Sequence, residues 1–367
     1  MGVEPRRPLE PDPAAPLRKH VPTLDGWRAV AVGAVIASHA VRGYTLSPRT
    51  LALTTTLGAV GVAIFFGISG LIITYRVLAE SAEHGTISLR NFYLRRVWRI
   101  MPAAYLYLVV VVALGLAGWL QFSAFGTLAS ALYFRNYAGG APWELAHYWS
   151  LAVEEHFYLL WPTLLAYLGV RRARRAAWGL ALAVLIWRAI AIHLLHLNQG
   201  EKFWGHTDIC FDALLYGCLA AIALSSATGR VRWHQRLRAP AWWALGLLAA
   251  VFTLRSAPLP AIAATVQAGI IPLLLLGTVL HTNWIGSRCL EARGVAWIGR
   301  ISYSLYLWQE LFLGPGHSSW MGLRIAVIFA CAAASYYGVE RPIVAWAHGR
   351  WPGAADGTPR AAATASA

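Results

Sequence analysis

Several ionisable side chains stand inside long apolar runs. A charge there costs several kcal/mol unless it is paired or hydrated, so each is a candidate for chemistry. His39 follows Arg28 by eleven residues. At about 100° per residue the two share one helix face, about 16 Å apart along the axis. Arg28 then lies near one membrane surface and His39 past the middle. An imidazole at that depth suits general-base work near neutral pH. The plainer reading pairs Arg28 with Asp25 and gives His39 a hydrogen bond to a neighbouring helix. A second candidate is the segment 147–158, HYWSLAVEEHFY. Its adjacent acids, Glu154 and Glu155, point about 100° apart on a helix, so only one can face the interior. Glu154 shares a stripe with Ser150, Tyr158 and Trp161 and is expected to face inward, with Glu155 toward water or the interface. Either acid also suits the first turn of a helix, as a complement to its dipole. In the third candidate, Tyr93 to Pro102, Arg95, Arg96 and Arg99 stand at i,i+3 and i,i+4 spacings. They form one cationic face, able to clamp phosphates or simply to anchor the chain at the inner surface. Arg188, His193, Asp208 and Asp212 are lesser candidates, with Arg188 and Asp212 read as a structural pair. Ser302, Tyr306 and Gln309 make a polar stripe that either lines a cavity or joins helices.

The elements that must position these groups follow from composition. Of the 367 residues 58% are hydrophobic and 13% charged, about half the roughly 25% charged content of soluble domains. Apolar runs lie near 28–46, 57–78, 100–120, 150–170, 176–196, 207–226, 240–254, 262–281, 297–314 and 322–340. The expected fold is all-α, a polytopic membrane bundle of about ten transmembrane helices, with no room for a large soluble domain. Residues 121–148 are broken by Gly126, Asn136, Gly139, Gly140 and Pro142 and read as a re-entrant or interfacial segment on the outer side. Both termini are then cytoplasmic. The arginine clusters at 90–99, 171–175, 230–238 and 288–300 fall inside, leaving Arg42, Arg49, Arg135, Lys202 and Arg255 outside. The net charge of +15 is thus a topology signal, and no nucleic-acid partner is expected. Residues 1–22 and 346–367 read as disordered cytoplasmic tails flanking a membrane domain at 23–345, and the first apolar run as a retained helix rather than a signal peptide. Cys210, Cys218, Cys289 and Cys331 form no CxxC pair, so neither a metal site nor a disulfide framework is expected. The chain shows no inverted repeat of the transporter kind.

Five stretches, taken together and in order, carry a resemblance. They are LDGWR at 24–28 followed by His39, GVAIFFGISGL at 61–71, YLRRVWRIMP at 93–102, YWSLAVEEHFYLLWP at 148–162, and ISYSLYLW at 301–308 with Glu340-Arg341-Pro342. The chain resembles the acyltransferase-3 family of integral membrane O-acyltransferases, of the O-antigen acetylase kind, over nearly its whole length. That resemblance implies transfer of an acyl group, acetyl in the first instance, from acyl-CoA as donor substrate with no bound cofactor. The acceptor is a sugar hydroxyl of a surface polysaccharide, lipid-linked glycan or glycosylated metabolite, reached from a bacterial cytoplasmic membrane and its lipid. It implies His39 and Glu154 as catalytic residues, with Glu154 on the second ring nitrogen of His39. Arg28, Arg95, Arg96 and Arg99 would hold the donor, and Ser69, Trp149, Ser150 and Tyr306 would bind substrate. Direct transfer and a covalent acyl-histidine both fit. Gln309 stands where the family often has His, and Cys210 where Arg is frequent, so no role is carried to either. No C-terminal esterase-like domain is expected. The rival readings are a transporter or flippase of a lipid-linked or sugar substrate, and a module that binds acyl-CoA without turnover.

Overall fold

The computed structural model describes residues 12–17, 20–41, 44, 47–197, 203–238, 241–243, 245–246, 249–250, 259–314 and 320–350. In chain order the helices are α1 (Pro22–Ala40), α2 (Pro48–His84), α3 (Leu89–Leu116), α4 (Ala124–Ala131), α5 (Tyr148–His193), α6 (Thr207–Cys210) and α7 (Asp212–Leu224). They continue with α8 (Ala227–Arg236), α9 (Pro260–Leu280), α10 (Ile285–Leu290), α11 (Arg293–Arg300), α12 (Ser302–Phe312), α13 (Met321–Ser335) and α14 (Arg341–Arg350). A π-helical turn, Tyr336–Glu340, joins the last two. The described residues contain no strand. Five stretches are long and apolar enough to cross a membrane: Thr50–His84, Leu89–Leu116, Trp143–His193, Pro260–Leu280 and Met321–Arg350. A sixth is added if α7 and α8, bent by 112°, are one broken span. The run expected at 240–254 lies largely outside the described residues.

Local chemistry sets the boundaries. Ser47 caps α2 by accepting from the Thr50 N–H, and Pro48 occupies its first turn, where a missing N–H costs nothing. Ser88 caps α3 in the same way through the Asn91 N–H. Within α5 the backbone leaves the helix at Gly169, with φ of 67°. Only glycine reaches that region without strain, so α5 is two helices meeting at a kink just before the Arg171–Arg175 cluster. The broken segment expected at 121–148 contains α4, eight residues long, or about 12 Å, far short of a span.

Helix α2 is the centre of the bundle, packed against α1 on one side and α7 on the other. Glycines let it come close: a Cβ on Gly70 would run into the Leu214 carbonyl, and one on Gly217 would sit 2.5 Å from the Gly67 oxygen. Arg188 and Asp212 form the expected pair at 2.7 Å, both about fully buried. The guanidinium also donates to the carbonyls of Ile209 and Ala261 and to Thr265 Oγ1, so this ion pair is satisfied inside the bundle and joins α5, α7 and α9. Asp208 accepts from Trp187 Nε1 at 2.6 Å and Tyr137 OH at 2.9 Å, a structural tie as well.

At both ends the ordered fold reaches past the boundaries read from the sequence. The described part of the expected N-terminal tail is held in place, with the Leu17 N–H donating to Tyr75 OH at 2.8 Å and Arg230 Nε to the Ala14 carbonyl at 3.0 Å. At the other end α14 runs on to Arg350, and the remainder of the expected C-terminal tail lies outside the described residues.

Candidate functional site

A cavity of about 800 Å³ opens among α1, α2, α3, α5, α12 and the π turn, within the roughly 300–1,000 Å³ typical of small-molecule sites. Eight of the ten residues to which the family resemblance gives a site role line it: Arg28, Ser69, Arg95, Arg96, Arg99, Ser150, Glu154 and Tyr306. Helix α1 brings Arg28 to the wall, where it donates to Asp25 at 2.8 Å. Asp25 also holds His20 at 2.7 Å. The plainer expectation for Arg28, a pair with Asp25, is therefore present together with a place on the cavity.

The cationic face expected on α3 divides. Arg95 is bound to Glu80 of α2 at 2.8 Å. Arg96 lays its guanidinium 4.6 Å from the Tyr158 ring centre. Neither Arg96 nor Arg99 has a carboxylate at ion-pair distance among the described residues. The available positive charge on this wall is thus that of Arg96 and Arg99. The π turn, packed against α3, adds Tyr336 and Glu340 to the lining, and Glu340 accepts from Ser304 Oγ.

Glu154 faces the cavity, as its stripe predicted, but Glu155 lines it too. The expected link between Glu154 and His39 does not form. One oxygen of Glu154 accepts from Ser69 Oγ at 2.7 Å and the other from Tyr158 OH at 3.1 Å. The reason is register: Ser69 stands on the face of α2 turned to the second turn of α5, where Glu154 lies, while His39 stands in the last turn of α1 and meets α12.

The lining ends at Tyr306 on α12 and Ser150 on α5, whose hydroxyls are 2.6 Å apart. Beyond them, and not on the cavity wall, lies a second polar cluster. His39 Nδ1 donates to Gln309 Oε1 at 2.7 Å and is 3.8 Å from Glu310 Oε1. Glu310 Oε2 takes both the backbone N–H of His147 at 3.0 Å and its ring Nδ1 at 2.9 Å. His39 stands edge-on to Trp143, and His147 packs against Tyr107 and Tyr306. Tyr306 is therefore the partition between the arginine-lined cavity and the histidine cluster. Trp149 belongs to neither, since its ring lies against Gly205 and edge-on to Phe66.

The cluster contains three residues that sequence reasoning did not place. Gln309 belongs to the polar stripe without a role, His147 is the first residue of the 147–158 segment, and Glu310 lies outside every motif that the sequence singles out. The signal for Glu310 was present, since it is an ionisable side chain in the apolar run 297–314.

A family profile described as "Acyltransferase domain" matches residues 21–339. Among curated proteins the chain is similar to the peptidoglycan O-acetyltransferase OatA of Listeria monocytogenes, 28% identical over 89% of this chain and 56% of that one. It is 29% identical, over 89% of this chain and 55% of the other, to YrhL of Bacillus subtilis, whose assignment as a peptidoglycan O-acetyltransferase is provisional. A provisionally assigned O-acetyltransferase of Staphylococcus aureus is 27% identical over 84% of this chain and 53% of its own. The chain spans about half the length of these relatives. No solved structure matches it significantly. The profile covers the first helix, the histidine cluster, most of the cavity wall and all but the last residue of the π turn, and the chain belongs to the acyltransferase-3 family of membrane proteins.

Proposed function

We propose that the protein is a membrane O-acyltransferase that moves an acetyl group from acetyl-CoA to a sugar hydroxyl of a cell-envelope glycan. The observation that carries this reading is the arginine-lined cavity ending at the Ser150–Tyr306 pair with His39 just beyond. Donor phosphates would sit at Arg96 and Arg99, with Arg28 and Arg95 beside them, and the thin pantetheine arm would run past Ser69 and Glu154 toward Tyr306. Ser150 Oγ donates to the His147 carbonyl, so the Tyr306 hydroxyl donates to Ser150 Oγ, and turning it away would free its hydrogen for the thioester oxygen as negative charge develops there. A sugar hydroxyl gives its proton to His39 as its oxygen attacks the thioester carbon. The C–S bond then breaks, and the proton passes from His39 to the leaving thiolate, giving an ester and free CoA. Glu154 acts in this reading on the donor arm.

The topology that serves this reaction has ten membrane helices and both termini inside, in a bacterial cytoplasmic membrane. Donor then enters from the cytoplasmic side and acceptor from the outer side. Peptidoglycan is the first acceptor to test, because it is what OatA is named for. The experiment supplies purified protein in vesicles with acetyl-CoA and a soluble peptidoglycan disaccharide, and follows the acetylated product by mass spectrometry. Wild type should form product, and His39→Ala should lower turnover by at least about 100-fold while melting like wild type. Near-normal turnover in folded His39→Ala would overturn the reading.

A further inference from the structure

We propose that Glu310 is a positioning residue of this reaction centre: one buried carboxylate, clamped by His147, supplies the negative charge that stabilises the imidazolium formed on His39. The inference rests on the acyl-transfer reading and deepens it. Glu310 is 3% exposed, where an isolated carboxylate is strongly disfavoured. Something must repay its burial, and a place in the reaction centre is one such return.

The geometry divides the work between neighbours. Gln309 Oε1 can only accept, so at 2.7 Å it fixes the hydrogen of His39 on Nδ1. The lone pair needed for a base is then on Nε2, as in a histidine oriented by a partner on its other nitrogen. Gln309 is neutral, however, and an amide gives an imidazolium no counter-charge. Glu310 Oε1, 3.8 Å from the same Nδ1, gives it one. Glu310 Oε2 is fully engaged by His147, through both its backbone and its ring N–H. The clamp comes from the outer segment before α5, while Glu310 itself stands on α12 and His39 on α1, so three elements converge on one carboxylate. Arg135 also feels the Glu310 charge, and it donates to the Ala138 carbonyl; the Glu144 charge lies near as well, felt with that of Glu310 at Tyr107. His147 Nε2 has no partner among the described residues, so the ring of His147 is tied to the fold through Glu310.

A purely structural role would make Glu310 a tie between α12 and the outer segment, where Trp143 Nε1 also donates to its carbonyl at 3.1 Å. The two roles separate on relocation of the charge. In the vesicle assay with acetyl-CoA and the peptidoglycan disaccharide, Glu310→Gln should lower kcat about 100-fold, with the KM for acetyl-CoA within about twofold of wild type. Gln309→Glu, added to Glu310→Gln, returns one carboxylate to the atom already touching His39 and should restore turnover by about tenfold or more. The double variant keeps the buried charge and, if Glu310→Gln alone does not fold, is read against wild type: turnover within about tenfold supports the proposal and a loss of about 100-fold overturns it. Turnover of Glu310→Gln within twofold of wild type, or a folded double variant no faster than Glu310→Gln, overturns the proposal. His39→Ala in the same assay keeps the two claims apart: its loss alongside an active Glu310→Gln removes only the role of Glu310, whereas an active His39→Ala removes the acyl-transfer reading.

Discussion

Arginines that look alike in sequence differ in what they have left to offer a ligand. Glu80 already holds Arg95, while Arg96 and Arg99 meet the cavity with no carboxylate at ion-pair distance among the described residues. Arg99→Gln, and separately Arg96→Gln, should raise the apparent KM for acetyl-CoA roughly tenfold, the loss of a charge-assisted hydrogen bond worth about 1.5 kcal/mol. Saturating turnover should change little, because contacts far from the thioester supply uniform binding. Removing Arg95 and Glu80 together, as Arg95→Gln with Glu80→Gln, deletes a neutral pair and should leave the donor constant within about twofold. Donor titration of the purified variants decides this, and a rise in the double variant equal to that of Arg96→Gln or Arg99→Gln would mean that Arg95 contacts the donor in spite of Glu80. Eight polar residues of the cavity wall were legible from the sequence, because polar types in and beside apolar runs are conspicuous. The partnerships were not. His39 and Glu154 were both visible as candidates, yet the nearest carboxylate to His39 is Glu310, 271 positions along the chain from it. Helical periodicity relates residues within one helix and is silent about which helix lies opposite.

At the scale of elements, the contact of α2 with α7 sets the width of the bundle beside the cavity, since Ser69 stands next to Gly70. Gly70→Val would press a branched side chain into the Leu214 carbonyl and should cost about 1–3 kcal/mol by overpacking. Gly179→Ala, where no atom lies within 4 Å of the new Cβ, should be neutral or slightly stabilising through helix propensity. Thermal melts of the two variants in detergent make the comparison, and equal melting temperatures would show that α2 and α7 can separate freely. The long helices were legible because apolar length is a strong signal. The kink of α5 at Gly169 falls at the end of the 150–170 run, while the Arg171–Arg175 cluster that separates this run from the next is itself helical. The precise ends were less legible. Helix α1 begins at Pro22 rather than at the first apolar residue, because Thr23 and Asp25 are buried against α10 and α11, with Thr23 donating to Glu291. A polar first turn buried by tertiary packing leaves no mark on a hydropathy profile.

For the molecule as a whole, the proposed orientation places α10 and its exposed Cys289 on the cytoplasmic side. A membrane-impermeant maleimide should label Cys289 only after permeabilisation of the cells, and labelling in intact cells would invert the topology. Cys218, buried between α2 and α7, should stay unlabelled in both and serves as the internal control. On that same cytoplasmic side the two ends of the described chain meet the cavity. Pro16, Leu17 and His20 stand on its rim from one direction and His348 from the other, and the N-terminal stretch is fastened there by Tyr75 and Arg230. The consequence is practical. An affinity handle inserted directly at residue 12 would stand beside the doorway through which the donor would pass, and one inserted directly at residue 350 would stand beside its other post. Rate constants taken from such fusions describe handle and enzyme together, so the handle belongs in an exposed inner loop or has to be cut away before donor kinetics are measured.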